Sequence, residues 1–198
     1  MLDNQYWDER YRTEEYAYGR EPNDFLRAEA GRIPPGRVLC LAEGEGRNAV
    51  YLAELGHKVT MVDFSVEGLR KAERLARERG VQLNLIHSDL AVFVPDGIFT
   101  GVISIFAHIP RAARRRMHAR LSQILAPEGV FLLEAYNHRQ PSFGTGGPRD
   151  PERLMSLEEL RLEVSPLRVI LGREVERDVR EGIYHTGRGA TVQIIAAH

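Results

Sequence analysis

Glu43-Gly44-Glu45-Gly46 is the stretch of this sequence best equipped for chemistry. It follows the apolar run Val38-Leu39-Cys40-Leu41 and leads into Arg47-Asn48-Ala49-Val50-Tyr51-Leu52, which has helical spacing. The run is long enough for one buried parallel strand. The paired glycines let the backbone turn tightly and approach a ligand with no Cβ between. The first free N–H groups of the next helix then point back at whatever lies over the turn. Strand, glycine loop and helix in this order make a nucleotide site. Two acids could complete it: Asp63 closes the second apolar run, and Asp89, in Ser88-Asp89-Leu90, closes the third.

Which nucleotide is a separate question. Gly44-x-Gly46-x-x-Ala49 also satisfies the dinucleotide fingerprint, and an NAD enzyme would also place an acid at 63. Three features separate the readings. Glu43 and Glu45 flank the glycines and would repel a pyrophosphate, whereas a cofactor with a sulfonium and an amino group tolerates them. Asp89 is suited to accept from an adenine amino group. No Tyr-x-x-x-Lys pair supplies the acid of short-chain dehydrogenase chemistry. A nucleoside methyl donor is favoured, and a Rossmann-type oxidoreductase is the weaker alternative.

These residues need elements to position them. Leu2, Trp7 and Tyr11 predict a short helix over 3–12, and Pro22 or Asn23 starts a second carrying Phe25 and Leu26 to Gly31. This segment, 1–30, either packs its aromatics on the domain or closes over the cofactor as a lid. Both can hold. Strands are expected over 37–41, 57–62, 81–86, 99–105 and 130–135, alternating with helices. One helix ends at Gly56, one runs from Ser65 to Gly80, and one is opened by Pro110 with Ala113, Met117, Leu121 and Ile124 inward. Arg111, Arg114, Arg115, Arg116 and Arg120 on that last helix read as a solvated outer face. A long polar loop, 137–151, is expected on the substrate side. Ser156 and Glu159 form a capping-box start, and β-like runs over 167–179 and 191–197 make an antiparallel hairpin. The fold class is α/β: a Rossmann-like, doubly wound parallel sheet with a C-terminal antiparallel β-hairpin, in one domain over 1–198.

With 43% hydrophobic and 28% charged residues the chain fits an ordinary globular domain, and its net charge of −1 offers no field for nucleic acid or an anionic membrane. No apolar stretch approaches the ~20 residues of a membrane span. No signal-peptide pattern opens the chain, so a soluble, cytoplasmic protein is expected. The one cysteine, Cys40, lies inside an apolar run. Histidines 87, 108, 138 and 185 lack metal spacing, and no metal requirement is expected.

The chain resembles class I S-adenosylmethionine-dependent methyltransferases over essentially its whole length. The matching elements are the loop 42–46, Val62-Asp63-Phe64-Ser65, Ser88-Asp89-Leu90, Ser104-Ile105-Phe106-Ala107-His108, and Leu125-Ala126-Pro127-Glu128-Gly129. Glu45-Gly46-Arg47-Asn48-Ala49, Tyr6-Trp7 with Tyr11, and the stretch 144–148 look like the tellurite-resistance (TehB-like) branch. The resemblance implies seven strands and S-adenosyl-L-methionine as donor, leaving S-adenosyl-L-homocysteine. It places Glu43, Gly44, Glu45 and Gly46 around the methionine end, with Arg47 or Asn48 near the donor's carboxylate. Asp63 would take the ribose hydroxyls, and Phe64, beside Ser65, would lie on the adenine face. Ser88, Asp89 and Leu90 would cover the adenine edge, with Phe106 nearby. His108 would border the methyl path as base or orienting group, Tyr136 would line the same pocket, and His185 would roof it.

The acceptor implied is a small molecule, a chalcogen oxyanion or thiol, with no nucleic-acid or membrane partner. A non-catalytic S-adenosylmethionine-binding protein is the alternative. Two positions depart from the family pattern: Cys40 stands where an acid is usual and Ala42 where a glycine is usual. The first suggests that Glu43 takes over an electrostatic role. The second implies that the turn after the first strand needs no positive φ.

Overall fold

The order of the strands decides where a ligand can bind. A computed structural model describes residues 4–198, so Leu2 lies outside the described residues. Seven strands, β1 (Arg37–Leu41), β2 (Lys58–Asp63), β3 (Asn84–His87), β4 (Phe99–Ile105), β5 (Leu125–Tyr136), β6 (Arg168–Glu181) and β7 (His185–Ala197), form one sheet in the order β3-β2-β1-β4-β5-β7-β6. The first five run parallel, and β7 inserts antiparallel between β5 and β6. Chain order reverses between β1 and β4, and in such sheets ligands sit in the crevice beyond the carboxyl ends of the strands at that point.

Both faces of the central strands are covered, which is why their sequences are continuously apolar. Val38 and Cys40 of β1 point into one core with Phe25 and Leu26 of α2 (Asp24–Glu29), Ala49 and Leu52 of α3 (Arg47–Glu54), and Leu69 and Ala72 of α4 (Val66–Glu78). Leu39 and Leu41 point into the other, with Met117 of α5 (Arg111–His118), Leu121 and Ile124 of α6 (Leu121–Ile124), and Leu160 of α7 (Leu157–Glu163). Cys40 is fully buried and packs as a small apolar residue.

The signals that end and begin elements act as their chemistry requires. Asn23 caps α2 by accepting from Leu26 N, Ser65 caps α4 by accepting from Gly68 N, and Ser156 and Glu159 close a reciprocal capping box on α7. Other expectations shift. Ordered pairing of β3 with β2 begins at Asn84, so the strand covers 84–87 rather than 81–86. The helix after Pro110 breaks at residues 119–120 into α5 and α6.

The expected solvated arginine face is wrong at Arg114. Its guanidinium is 1% exposed and donates three bonds to the Glu163 carboxylate, which also takes His118 Nδ1 at 2.8 Å. This cluster ties α5 to α7, an arrangement that the spacing of α5 alone cannot reveal.

The N-terminal helix α1 (Asn4–Tyr11) lies against α4. Asp8 joins the α4 cap, accepting from Ser65 Oγ at 2.5 Å and from Glu67 N at 3.2 Å. No helix among the described residues is long and apolar enough to cross a membrane.

Candidate functional site

A cavity of about 800 Å³ opens over the carboxyl ends of β1, β2 and β4. Ligand pockets for drug-sized molecules run to about 300–1,000 Å³, so this one has room for a nucleoside and a small second molecule. Its floor is the glycine loop. Gly44 and Gly46 hold φ of 60° and 84°, conformations that suit glycine. A Cβ on Gly46 would lie 2.5 Å from that of Ala72, so the residue also lets α3 approach α4. Ala42 holds φ 47°, contrary to the expectation drawn from its side chain. The chain still needs a left-handed turn on leaving β1, at a cost of about 1–2 kcal/mol for a residue with a Cβ. Phe106, where β4 ends, shares the feature at φ 50°.

Glu43 explains how this loop differs from a phosphate site. Its Oε1 accepts from Asn48 N at 2.9 Å and Ala49 N at 3.1 Å, the first free donors of α3, whose N-cap Gly46 has no side chain to offer. Burial pushes the Glu43 carboxyl up to about 7, against those bonds. The helix end that would receive a pyrophosphate is therefore filled by a side chain of the protein. The dinucleotide reading fails on this geometry.

Glu45 faces the other way. It accepts from Ala17 N and Tyr18 N at 3.2 and 3.3 Å and pairs with Lys71 Nζ at 2.5 Å. Lys71 Nζ also donates to Thr13 O and Glu15 O. Glu45 and Lys71 together staple residues 13–18 across the loop. Lys71→Met should leave Glu45 buried and unpaired, which costs several kcal/mol, and should speed tryptic cleavage after Arg12 by roughly tenfold or more. An unchanged cleavage rate would mean that the aromatic packing of α1 alone holds the segment.

Arg47 and Asn48, expected near a donor carboxylate, are engaged by other groups of the protein. Arg47 pairs with Glu181 at 2.5 Å, and Asn48 Oδ1 accepts from Asn23 N at 2.9 Å. Both line the cavity but are held by partners far away in sequence. Glu181 belongs to a buried polar layer in which Asn23, Arg177 and Gln193 all donate to Glu134. The Arg177 side chain is 17% exposed and pairs with three carboxylates, Glu134, Glu181 and Asp24.

The two acids open onto the same cavity. Asp63 Oδ2 accepts from Gly44 N and Oδ1 from Ser65 N, each at 2.8 Å, so the side chain is partly turned back onto its own loop. A carboxylate has about four acceptor positions, and the remaining ones are available to two hydroxyls. Burial pushes its carboxyl up to about 6. Asp89 is exposed at the rim, with Oδ1 accepting from Ala91 N at 2.7 Å. Phe64, Ser88 and the buried Leu90 complete that end. Gly44, Gly46 and Ser65 support this floor without lining it; the Ser65 hydroxyl is engaged by Asp8 and Gly68.

The opposite end is aromatic. Phe106 lies 4.7 Å from Tyr136 and 4.8 Å from His185 between ring centroids, and Tyr18 lies 4.6 Å from His185. Tyr136 is fully buried behind the lining, stacked on His108, and does not face the cavity as expected. Burial raises its phenol, keeping it protonated.

His108 and His185 do line the cavity. His108 Nδ1 is 2.9 Å from Arg153 O, which can only accept, so that nitrogen carries the hydrogen; Nε2 is 3.5 Å from Tyr136 N. Burial pulls this imidazole down to about 3. A group so weakly basic orients its surroundings and is a poor proton acceptor at neutral pH. His185 Nδ1 is buried with no hydrogen-bond partner, 3.9 Å from Glu181, and burial lowers its basicity also. Among the described residues no cluster of three or more His, Cys, Asp or Glu side chains could hold a metal ion.

Arg10, Tyr11, Tyr18 and Tyr184 also line the cavity. The Tyr11 hydroxyl would lie 2.6 Å from a Cβ on Gly44, which places its ring directly over the loop. The N-terminal aromatics were visible as a composition; the hairpin-tip tyrosine carried no signal beyond its neighbour His185.

Residues 38–129 match a family model described as a methyltransferase domain. The glycine/sarcosine N-methyltransferase of Halorhodospira halochloris is 31% identical over 138 residues, 67% of this chain and 48% of that protein. The tRNA 5-carboxymethoxyuridine methyltransferase of Escherichia coli is 35% identical over 106 residues, 51% of this chain and 40% of that protein. The chain thus spans about half the length, or less, of these curated relatives. The crystal structure of TehB from Haemophilus influenzae superposes with a TM-score of 0.71 at 17% identity, covering 98% of this chain and 66% of that one, a likeness of fold.

Proposed function

We propose that this chain, a class I S-adenosylmethionine-dependent methyltransferase, methylates a small soft nucleophile, a chalcogen oxyanion or a thiol, inside this cavity. The observation that carries the reading is the division of the cavity into two ends. Acids at the tips of β2 and β3 suit the ribose and adenine of a nucleoside, and Glu43 closes the α3 terminus to phosphate. The donor set fits S-adenosylmethionine: Asp63 for the ribose hydroxyls, Phe64 against the adenine and Asp89 at its edge. When bound, this cofactor supplies a methyl group on a sulfonium; transfer breaks the S–CH₃ bond, forms the acceptor–CH₃ bond and leaves a neutral thioether.

The protein contributes chiefly by positioning, worth about 7–11 kcal/mol in favourable cases. Tyr11 and the 13–18 segment cover the loop as a lid, and Gly146, Gly147 and Pro148 bring the 137–151 loop to the acceptor side. An acceptor that arrives already ionised, a chalcogen oxyanion or a thiolate that has released its proton to solvent, suits the aromatic end, because both histidines there have lowered basicity and Tyr136 stays protonated. The same enclosure supports a small acceptor over a nucleic acid.

Calorimetric titration with S-adenosylhomocysteine and then with NAD tests the donor. Release of S-adenosylhomocysteine in the presence of selenite, tellurite, simple thiols, sarcosine and tRNA tests the acceptor. Binding without release for every acceptor would favour a regulatory protein, and turnover on tRNA alone would replace the small-molecule reading. His108→Ala should lower turnover less than about tenfold and leave the pH–rate profile between about pH 5 and about pH 9 unchanged, since the group is already neutral there. Loss of an inflection in that range would restore it as a base.

A further inference from the structure

Three arginines line the cavity: Arg10, Arg47 and Arg153. Two are matched by acids, Arg47 by Glu181 at 2.5 Å and Arg153 by Asp150 at 3.6 Å. Arg10 is different. It donates to Tyr18 Oη at 2.8 Å and Tyr6 Oη at 2.5 Å, and its guanidinium lies 4.0 Å from the centroid of the Tyr184 ring. Among the described residues no carboxylate lies within ion-pairing distance of it; the groups that polarise it are phenols. Burial pushes the Tyr18 phenol up to about 12, so this acceptor is neutral and leaves the charge uncancelled.

Guanidinium has five N–H donors in a planar fork that matches two oxygens of one anion, and the phenols do not use them all. Position assigns the anion to one end of the cavity. Tyr18 connects Arg10 to His185, and His185 to Phe106, by ring contacts of 4.6 and 4.8 Å, whereas Asp63 and Asp89 lie at the ends of β2 and β3. Arg10 therefore stands at the aromatic end.

Building on the methyl-transfer reading, we propose that Arg10 is the receptor for a compact oxyanion carried by the acceptor, either a chalcogen oxyanion or the carboxylate of an organic molecule. Tyr6, Tyr18 and Tyr184 hold the guanidinium in place, and the α3 terminus cannot compete for the anion because Glu43 fills it.

The protein carries its own reporter. Trp7 is the one tryptophan of the chain, and its ring centroid lies 5.6 Å from the Arg10 guanidinium carbon. Trp7 emission is followed in protein saturated with S-adenosylhomocysteine while selenite, benzoate or sarcosine is added, with benzamide and sarcosinamide as counterparts that lack the carboxylate. A saturable response to the anions, at least about tenfold weaker for the amides, is expected from the loss of a charge-assisted contact. Selenite alone would identify an inorganic source, and benzoate or sarcosine an organic one.

Arg10→Met should weaken the anion response about tenfold or more, Arg10→Lys should retain part of it, and affinity for S-adenosylhomocysteine should stay within about twofold in both. Amides equal to anions, no anion response at all, or an Arg10→Met variant that loses S-adenosylhomocysteine instead would each overturn the assignment. Wild-type protein that fails to bind S-adenosylhomocysteine would remove the methyl-transfer reading itself, and this assignment with it.

Discussion

Asp63→Asn should weaken S-adenosylhomocysteine binding by roughly 100-fold or more. Hydrogen bonds to a charged group contribute about 1.5–3 kcal/mol each, so losing the charge on two ribose contacts removes about 3 kcal/mol or more, at 1.4 kcal/mol per tenfold. The amide also has only one acceptor oxygen for the two backbone donors, Gly44 N and Ser65 N, which now share the carboxylate. The pH dependence follows from the carboxyl being raised to about 6. Protonation removes acceptor capacity, so affinity should fall as pH drops below about 6, by at most about tenfold per pH unit, and the substitution should flatten that dependence.

Stability runs the other way for the same group. The folded protein binds a proton that the unfolded chain releases, so this group favours the fold most below about pH 4 and less as pH rises to about 6. Calorimetry across pH on both proteins checks both signs. An Asn variant that binds within about threefold of wild type would detach Asp63 from the ribose.

Glu163→Ala should destabilise the fold by about 3–5 kcal/mol, because it strands the Arg114 guanidinium in a buried position without its anion. For a chain of this size that corresponds to a melting temperature lower by about 6–20 °C, at about 2–4 °C per kcal/mol. Replacing Arg114, His118 and Glu163 together by Met, Leu and Leu should recover most of the loss, since an apolar cluster of similar volume avoids desolvating the charges. Burial pushes the Glu163 carboxyl up, but bonds from His118 and Arg114 outweigh it and leave it at about 2. Its stabilising contribution should be complete above about pH 4.5 and disappear as pH falls through about 2. A melting temperature within about 3 °C of wild type for Glu163→Ala would show that water reaches the cluster and screens it.

How much of this could be read from the residues follows from the range over which each interaction acts. Strand and helix types, Asn23, Ser65 and the Ser156–Glu159 box are encoded within a few positions, so sequence finds them. The strand insertion was partly legible: alternating β-like runs near the end announced a hairpin but not that β7 would pair with β5. What escaped was carried by partners more than 40 positions apart. Arg114 reads as solvent-facing until α7 brings Glu163, and the partner of Arg47, Glu181, is not legible until the hairpin brings it. Ala42 escaped for a different reason. A side chain suggests the φ a residue prefers, whereas the turn after β1 imposes the φ it must adopt.

The position of β7 between β5 and β6 has a consequence for vectorial synthesis on the ribosome. Elements up to β5 can pair as they emerge, but β6 has no neighbour except β7, which is made after it. The two strands are joined through residues 182–184, a short-range closure that can form before it docks on β5. Tyr184, His185 and Glu181 arrive with that hairpin. A nascent chain would thus complete the acidic end of the cavity, with Asp63 and Asp89, first, and acquire its aromatic wall only when the hairpin snaps into the sheet; on the proposed reading, half-made molecules would hold donor without using it.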